Sequence, residues 1–192
     1  MLAAARAGLA LLTLTAIAWQ LVLHVRAGFD ALNFFSYFTN LSNLAACGVL
    51  LATAFTHRAS PRRDVARFLS VVNMAVVGVV FFMLLRHVDL GGLLPWINTV
   101  LHTLMPVAVV ADWLVRPPAS RLRARHVGLA MVFPLAYVVY VLLRGAATGW
   151  YPYPFLNPAN VGGYGGVVLY VAGIAAAFLV TALLLKAVAS RR

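Results

Sequence analysis

Two short polar clusters interrupt an otherwise apolar chain, and their residue types are those of ester hydrolysis. Asn98, Thr99, His102 and Thr103 fall within two helical turns inside the apolar run 96–106. Thr39, Asn40, Ser42 and Asn43 form the other cluster. An ionisable side chain inside a membrane segment costs on the order of 2–3 kcal/mol on insertion scales and by default marks a functional site. A threonine hydroxyl is a poor nucleophile until a base removes its proton. A neutral imidazole within hydrogen-bond reach can do so near neutral pH and then return the proton to the leaving alcohol. His102 is therefore read as the base of an intramembrane hydrolytic site, with Thr39 as the nucleophile. Developing oxyanion charge needs fixed donors, and Asn40, Asn43 and Asn98 carry suitable amides. The competing reading is structural. Ser, Thr and Asn glue membrane helices together, and Thr often bonds back to the carbonyl four residues earlier.

The elements that must position these groups follow from composition. The chain has 192 residues, 64% hydrophobic and 10% charged, with a mean hydropathy of +0.94. A soluble domain averages about 45–50% apolar and about 25% charged, so the class is a polytopic, all-α membrane protein. A span needs about 20 residues, and six spans consume the chain as a single transmembrane domain. They fall near 5–25, 36–55, 67–85, 95–115, 127–143 and 167–188. The first also resembles a signal peptide, with residues 16–18 as a cleavage candidate, but Trp19 and Gln20 continue its long apolar run and favour a retained helix. Thr39 and Asn43 are four apart, as are Asn98 and His102, so each pair shares a helix face. Pro106 predicts a kink just past the histidine. Asp112 lies about 15 Å along the axis from His102, too far to orient it, and Arg116 is its expected partner.

The net charge is +11, which on a soluble protein would suggest nucleic acid; here basic loops obey the positive-inside rule. Loops two–three and four–five, the tail and Arg6 together hold twelve of the fifteen Lys and Arg residues, on one side if both termini are cytoplasmic. Arg26, Arg86 and Arg144 end odd-numbered spans. Arginine outnumbers lysine fourteen to one, a composition of GC-rich bacterial genomes, so the expected location is a bacterial plasma membrane. One cysteine, Cys47, excludes an intramolecular disulfide and any cysteine metal cluster. No nucleotide-binding loop or zinc motif is present, so no cofactor or metal is expected, and the expected partner is a membrane lipid or lipid-like ester rather than nucleic acid. On this topology Thr39 and His102 lie about 5 and about 10 Å deep from the outer face, close enough to meet. The aromatic loop 148–158, with Trp150, Tyr153 and Phe155, lies on the same side as an interfacial segment or a lid.

The spacing Asn98-x3-His102-Thr103, Pro106, Asp112 ten residues on, the Phe38-Thr39 segment and the Trp150…Tyr153-Pro154-Phe155-Leu156 loop resemble the androgen-induced gene (AIG/FAR-type) family. Members with an assigned activity are intramembrane threonine hydrolases that cleave fatty acid esters of hydroxy fatty acids with a threonine and a histidine. The resemblance implies those roles for Thr39 and His102 and covers span two through the loop after span five. Alternatives are a small transporter with a polar stripe lining a pathway, a non-enzymatic membrane or assembly protein, and a haem protein, for which His24 alone could pair with His102.

Overall fold

A computed structural model of the chain describes residues 1–56, 60–89 and 92–190. Arg58, Arg191 and Arg192, among the loop and tail charges counted above, lie outside the described residues. The described residues hold helices and no strand. Helix α1 is Leu2–Arg26, and the short α2, Ala31–Phe35, is capped by the Asp30 carboxylate, which accepts from the Leu32 N–H at 2.9 Å. Helix α3 is Phe38–Ala54, and α4, Pro61–Val80, opens on a proline in its first turn and runs into a π-helical turn at Phe81–Leu85. Helix α5, Pro95–Thr99, a second π turn at Val100–Leu104 and α6, Met105–Val115, form one continuous rod. Helix α7 is Ala124–Thr148 and α8 is Tyr164–Ser190, with two short 3-10 turns between them at Pro154–Leu156 and Pro158–Asn160.

Five of these rods are long and apolar enough to cross a membrane: α1, Pro61–Leu85, Pro95–Val115, α7 and α8. The expected second span is realised as α3, whose 17 residues reach about 26 Å at 1.5 Å per residue, short of a roughly 30 Å hydrocarbon core. Length and composition therefore mark five candidate spans among the described residues, with α3 as a shorter apolar helix. Spans three, five and six run several residues beyond their expected ends, because hydropathy fades before the backbone hydrogen bonding does. Helix α2 was not expected; the Asp30 cap is its sequence signal.

Helix α4 is the hub, packed against α3, α6, α7 and α8, while α3 also lies along α1. Its Phe68, Val71, Val72, Met74 and Val76 are buried in the main apolar core with Met105 and Trp113. The outer faces of α7 and α8 expose Val139, Leu143, Val168, Leu169 and Leu184, an apolar surface suited to lipid. At Gly78 a Cβ would stand 3.1 Å from the Pro106 side chain, so the missing side chain is what lets α4 approach the π-to-α junction of its neighbour.

One expected contact is corrected. Asp112 does not pair with Arg116; its two carboxylate oxygens accept from Arg6 at 2.8 Å and Arg67 at 3.0 Å. Both partners come from other helices, and folding brings them to a carboxylate that sequence spacing offered to Arg116. Arg6 also donates to the Thr53 carbonyl at 3.2 Å, and the Trp113 indole donates to the Leu185 carbonyl at 3.4 Å. The start of α1, the end of α3, the end of α6 and the end of α8 therefore meet at one end of the bundle.

Candidate active site

Thr39 is the second residue of α3, at the opposite end of the bundle from Asp112. The first N–H groups of a helix have no partner within it, and no side chain of α3 itself caps them. Tyrosines from elsewhere do. The Phe38 N–H donates to the Tyr137 hydroxyl at 3.2 Å, and the Thr39 N–H donates to the Tyr153 hydroxyl at 3.3 Å. Tyr137 in turn donates to the Ser36 carbonyl at 2.8 Å, and Tyr140 shares a 2.8 Å hydrogen bond with the Ser36 hydroxyl. Helix α7 and the aromatic loop thus hold the turn that carries Thr39.

The Thr39 hydroxyl lacks a back-bond that several other threonines make. Thr13, Thr53, Thr99 and Thr148 each donate back to the carbonyl four residues earlier, at 2.8–2.9 Å. For Thr39 that position is Phe35, which belongs to α2. Its hydroxyl faces the Tyr153 hydroxyl at 3.5 Å. Burial pushes the Tyr153 phenol up from its ordinary value, so it stays protonated and able to donate.

His102 sits in the π turn Val100–Leu104, 8% exposed. Pro106 has no N–H to give the His102 carbonyl, and the expected break in regular bonding takes the form of this π register immediately before the proline. The His102 Nδ1 lies 3.3 Å from the Asn98 carbonyl. A carbonyl can only accept, so the contact places the proton on Nδ1 and leaves the Nε2 lone pair free to take another. Phe81, from the other π turn, stacks on the ring with centroids 4.3 Å apart.

Thr39 and His102 line the same cavity, of about 190 Å³, together with Asn40, Tyr37, Trp150 and Tyr153. Among the described residues no Asp, Glu, Lys or Arg lines it. Asn43 and Asn98 are outside its wall. Asn43 is fully buried and its amide donates to the Thr39 carbonyl at 2.9 Å and the Leu101 carbonyl at 3.2 Å, joining the two helices one residue from His102. The Asn40 amide donates to the Phe34 carbonyl at 2.8 Å. Both amide N–H groups of Asn43 and one of Asn40 thus go to main chain, and the Tyr153 hydroxyl faces Thr39. The side-chain oxygens of Asn43 and Asn98 are buried without a hydrogen-bond partner among the described residues.

The aromatic loop closes one side. Trp150 meets Tyr37 edge-on at 5.8 Å, and Phe155 stacks on Tyr153 at 5.2 Å. Gly145 makes room for the loop, since a Cβ there would fall 2.1 Å from the Tyr151 ring. Phe155 faces a second, apolar cavity of about 70 Å³ between α3, α4, α7 and α8. Thr39, Leu85 and Tyr153 border both cavities.

Residues 33–189 match the model of a family described as FAR-17a/AIG1-like protein. The chain belongs to the FAR-17a/AIG1-like family. No curated protein and no solved structure matches it. The stretch that makes this a FAR-17a/AIG1-like protein takes in Thr39, His102 and the aromatic loop, while α1 precedes it. Yet α1 supplies Gln20 and His24 to the cavity wall of this FAR-17a/AIG1-like chain. Gln20 donates to the Gly92 carbonyl at 3.3 Å and accepts from the Leu94 N–H at 3.4 Å. His24 lies 3.1 Å through Nε2 from the Asp30 carbonyl and packs on Phe29 and Phe34. The four-residue step from Gln20 to His24 was the signal that they share a face. Tyr137 and Tyr140 share one too, but nothing in their spacing pointed to α3. Among the described residues no group of three or more His, Cys, Asp or Glu side chains converges as a metal site.

Proposed function

We propose that this protein is an intramembrane hydrolase of lipid esters, with Thr39 as nucleophile and His102 as base. The observation that carries the reading is that a threonine free of the usual back-bond and a histidine with an available Nε2 line one uncharged cavity. The His102 Nε2 takes the Thr39 proton as Oγ1 attacks the ester carbonyl. The Tyr153 hydroxyl donates to the oxyanion, as preorganised donors do in acyl transfer. Collapse expels the alcohol, which receives the proton from His102, and leaves an acyl-threonine. Water, deprotonated by the same imidazole, releases the acid and restores Thr39. The Asn98 carbonyl holds the ring through Nδ1, the position an aspartate occupies in a catalytic triad.

The apolar cavity bordering Thr39 suits an acyl chain, and the polar cavity suits the alcohol half. Arg144 stands behind the polar wall, donating to Asn33 at 2.6 Å and lying over Trp150 at 4.7 Å. Its Nη1 is buried without a partner among the described residues, and a substrate carboxylate would satisfy it. Fatty acid esters of hydroxy fatty acids carry such a group. A transport pathway is less well supported, because the polar cavity gives way to the apolar core below His102. The six-crossing reading counts α3, which runs from the cavity to Thr53 at the Asp112 end. Both termini then lie on the basic, cytoplasmic side of a bacterial plasma membrane and the site in the outer leaflet.

The test is hydrolysis of a fatty acid ester of a hydroxy fatty acid by purified protein in detergent. Thr39→Ala and His102→Ala should each lower the rate by about a hundredfold or more, with unchanged melting, and Arg144→Gln should erase any preference for the free acid over its methyl ester. A folded wild-type protein inert on several ester classes would sink the proposal.

A further inference from the structure

The end of the bundle opposite Thr39 holds a cleft of about 1690 Å³. Among the described residues five cations from four elements line it: Arg62 from the first turn of α4, Arg121 and Arg123 from the α6–α7 loop, Arg125 from the start of α7, and Lys186 from the last turns of α8. No carboxylate side chain among the described residues lines it. The two acidic residues nearest in the fold are already engaged. Asp112 accepts from Arg6 and Arg67, and Asp64 accepts from the Ser120 N–H at 2.8 Å, which fixes the loop that presents Arg121. The cleft's own wall is amphipathic, since Val65, Leu129 and Ala189 line it beside the cations.

The positive-inside rule accounts for basic loops on one face. It does not account for cations from four chain segments converging on one concave site while the nearby carboxylates are turned elsewhere. Arginine forks match phosphate oxygens in bidentate geometry, and basic pockets between helix ends are suited to anionic lipid headgroups. We propose that this cleft binds a phosphate group, supplied by the headgroup of an anionic phospholipid whose tails run along the apolar wall. The site is independent of Thr39 and His102.

The test is the melting temperature of the full chain in neutral detergent, titrated with phosphatidylglycerol, phosphatidylcholine or inorganic phosphate. Phosphatidylglycerol should raise it saturably and phosphatidylcholine should not. At roughly fivefold in affinity for each surface cation, the combined Arg62→Gln, Arg121→Gln and Lys186→Gln variant should bind roughly a hundredfold more weakly. Arg121→Gln alone guards against misfolding in the triple variant, and Arg116→Gln, exposed in the same loop but outside the cleft, should bind as wild type. Saturable stabilisation by inorganic phosphate alone, lost in Arg121→Gln, would support the phosphate site with a free anion as its source. Equal stabilisation by both lipids, or equal weakening by Arg116→Gln and Arg121→Gln, would overturn the proposal, since either means diffuse surface charge. Thr39→Ala should bind phosphatidylglycerol unchanged, which separates this outcome from that of the hydrolase assay.

Discussion

The two ends of the bundle use polarity in opposite ways. At the Asp112 end, the half-buried carboxylate is paired: it takes two guanidinium groups, and Arg67 also lies over the Trp113 ring at 5.6 Å. At the Thr39 end the cavity wall is neutral, built from hydroxyls, amides and two imidazoles, and several polar atoms near it have no partner. Ion pairs and saturated hydrogen bonds fix helices in place. Unsatisfied neutral groups beside a cavity add little to stability and leave capacity for a substrate. The difference separates a locking end from an end with capacity to spare.

The sharpest way to break that comparison is to exchange the phenotypes. Thr39→Ala should remove ester hydrolysis, by about a hundredfold or more, and move the melting point little. Asp112→Asn should do the reverse, leaving two cations without their carboxylate and costing about 3 kcal/mol of stability, read as a lower melting temperature at unchanged turnover per folded molecule. If Asp112→Asn abolishes turnover in folded protein, the two ends are not separate. Asn43→Ala sits between the two classes, because its amide joins α3 to the π turn at Leu101. It should cost about 1–3 kcal/mol and also lower turnover through misplacement of Thr39 against His102. A loss of stability with turnover intact would make Asn43 packing glue. The smallest effect is expected of Tyr153→Phe, which keeps the ring and removes one hydroxyl. It should cost about 1 kcal/mol and slow acylation more than substrate binding, seen as a lower kcat at nearly constant KM. A change in KM alone would assign Tyr153 to binding.

The basic cleft belongs to the locking end, and its cations stand apart from the Asp112 ion pairs.

Particular residues show where the sequence was legible. The rod Pro95–Val115 could be placed to the residue, because Pro95 opens it and the basic, proline-rich run after Val115 ends it. The all-α membrane class and the choice of Thr39 and His102 followed from residue type, since reactive groups in an apolar run are conspicuous against their background. Asp112 was misassigned because sequence spacing ranks neighbours on one helix, whereas Arg6 and Arg67 arrive from two others. The Tyr153 hydroxyl that faces Thr39 was likewise out of reach of sequence spacing, since it comes from a loop more than a hundred residues away.

By itself, then, the sequence determined that the chain is a helical membrane protein, where most of its rods run and which polar side chains interrupt the apolar runs, because hydropathy, charge and residue type are local properties. Only the tertiary structure decided that Thr39 escapes the back-bond of its fellow threonines, that His102 keeps Nε2 free and that Tyr153, Gln20 and His24 join them around one cavity. Those outcomes depend on which helix ends meet, and that is set by packing across segments with no common period in the sequence.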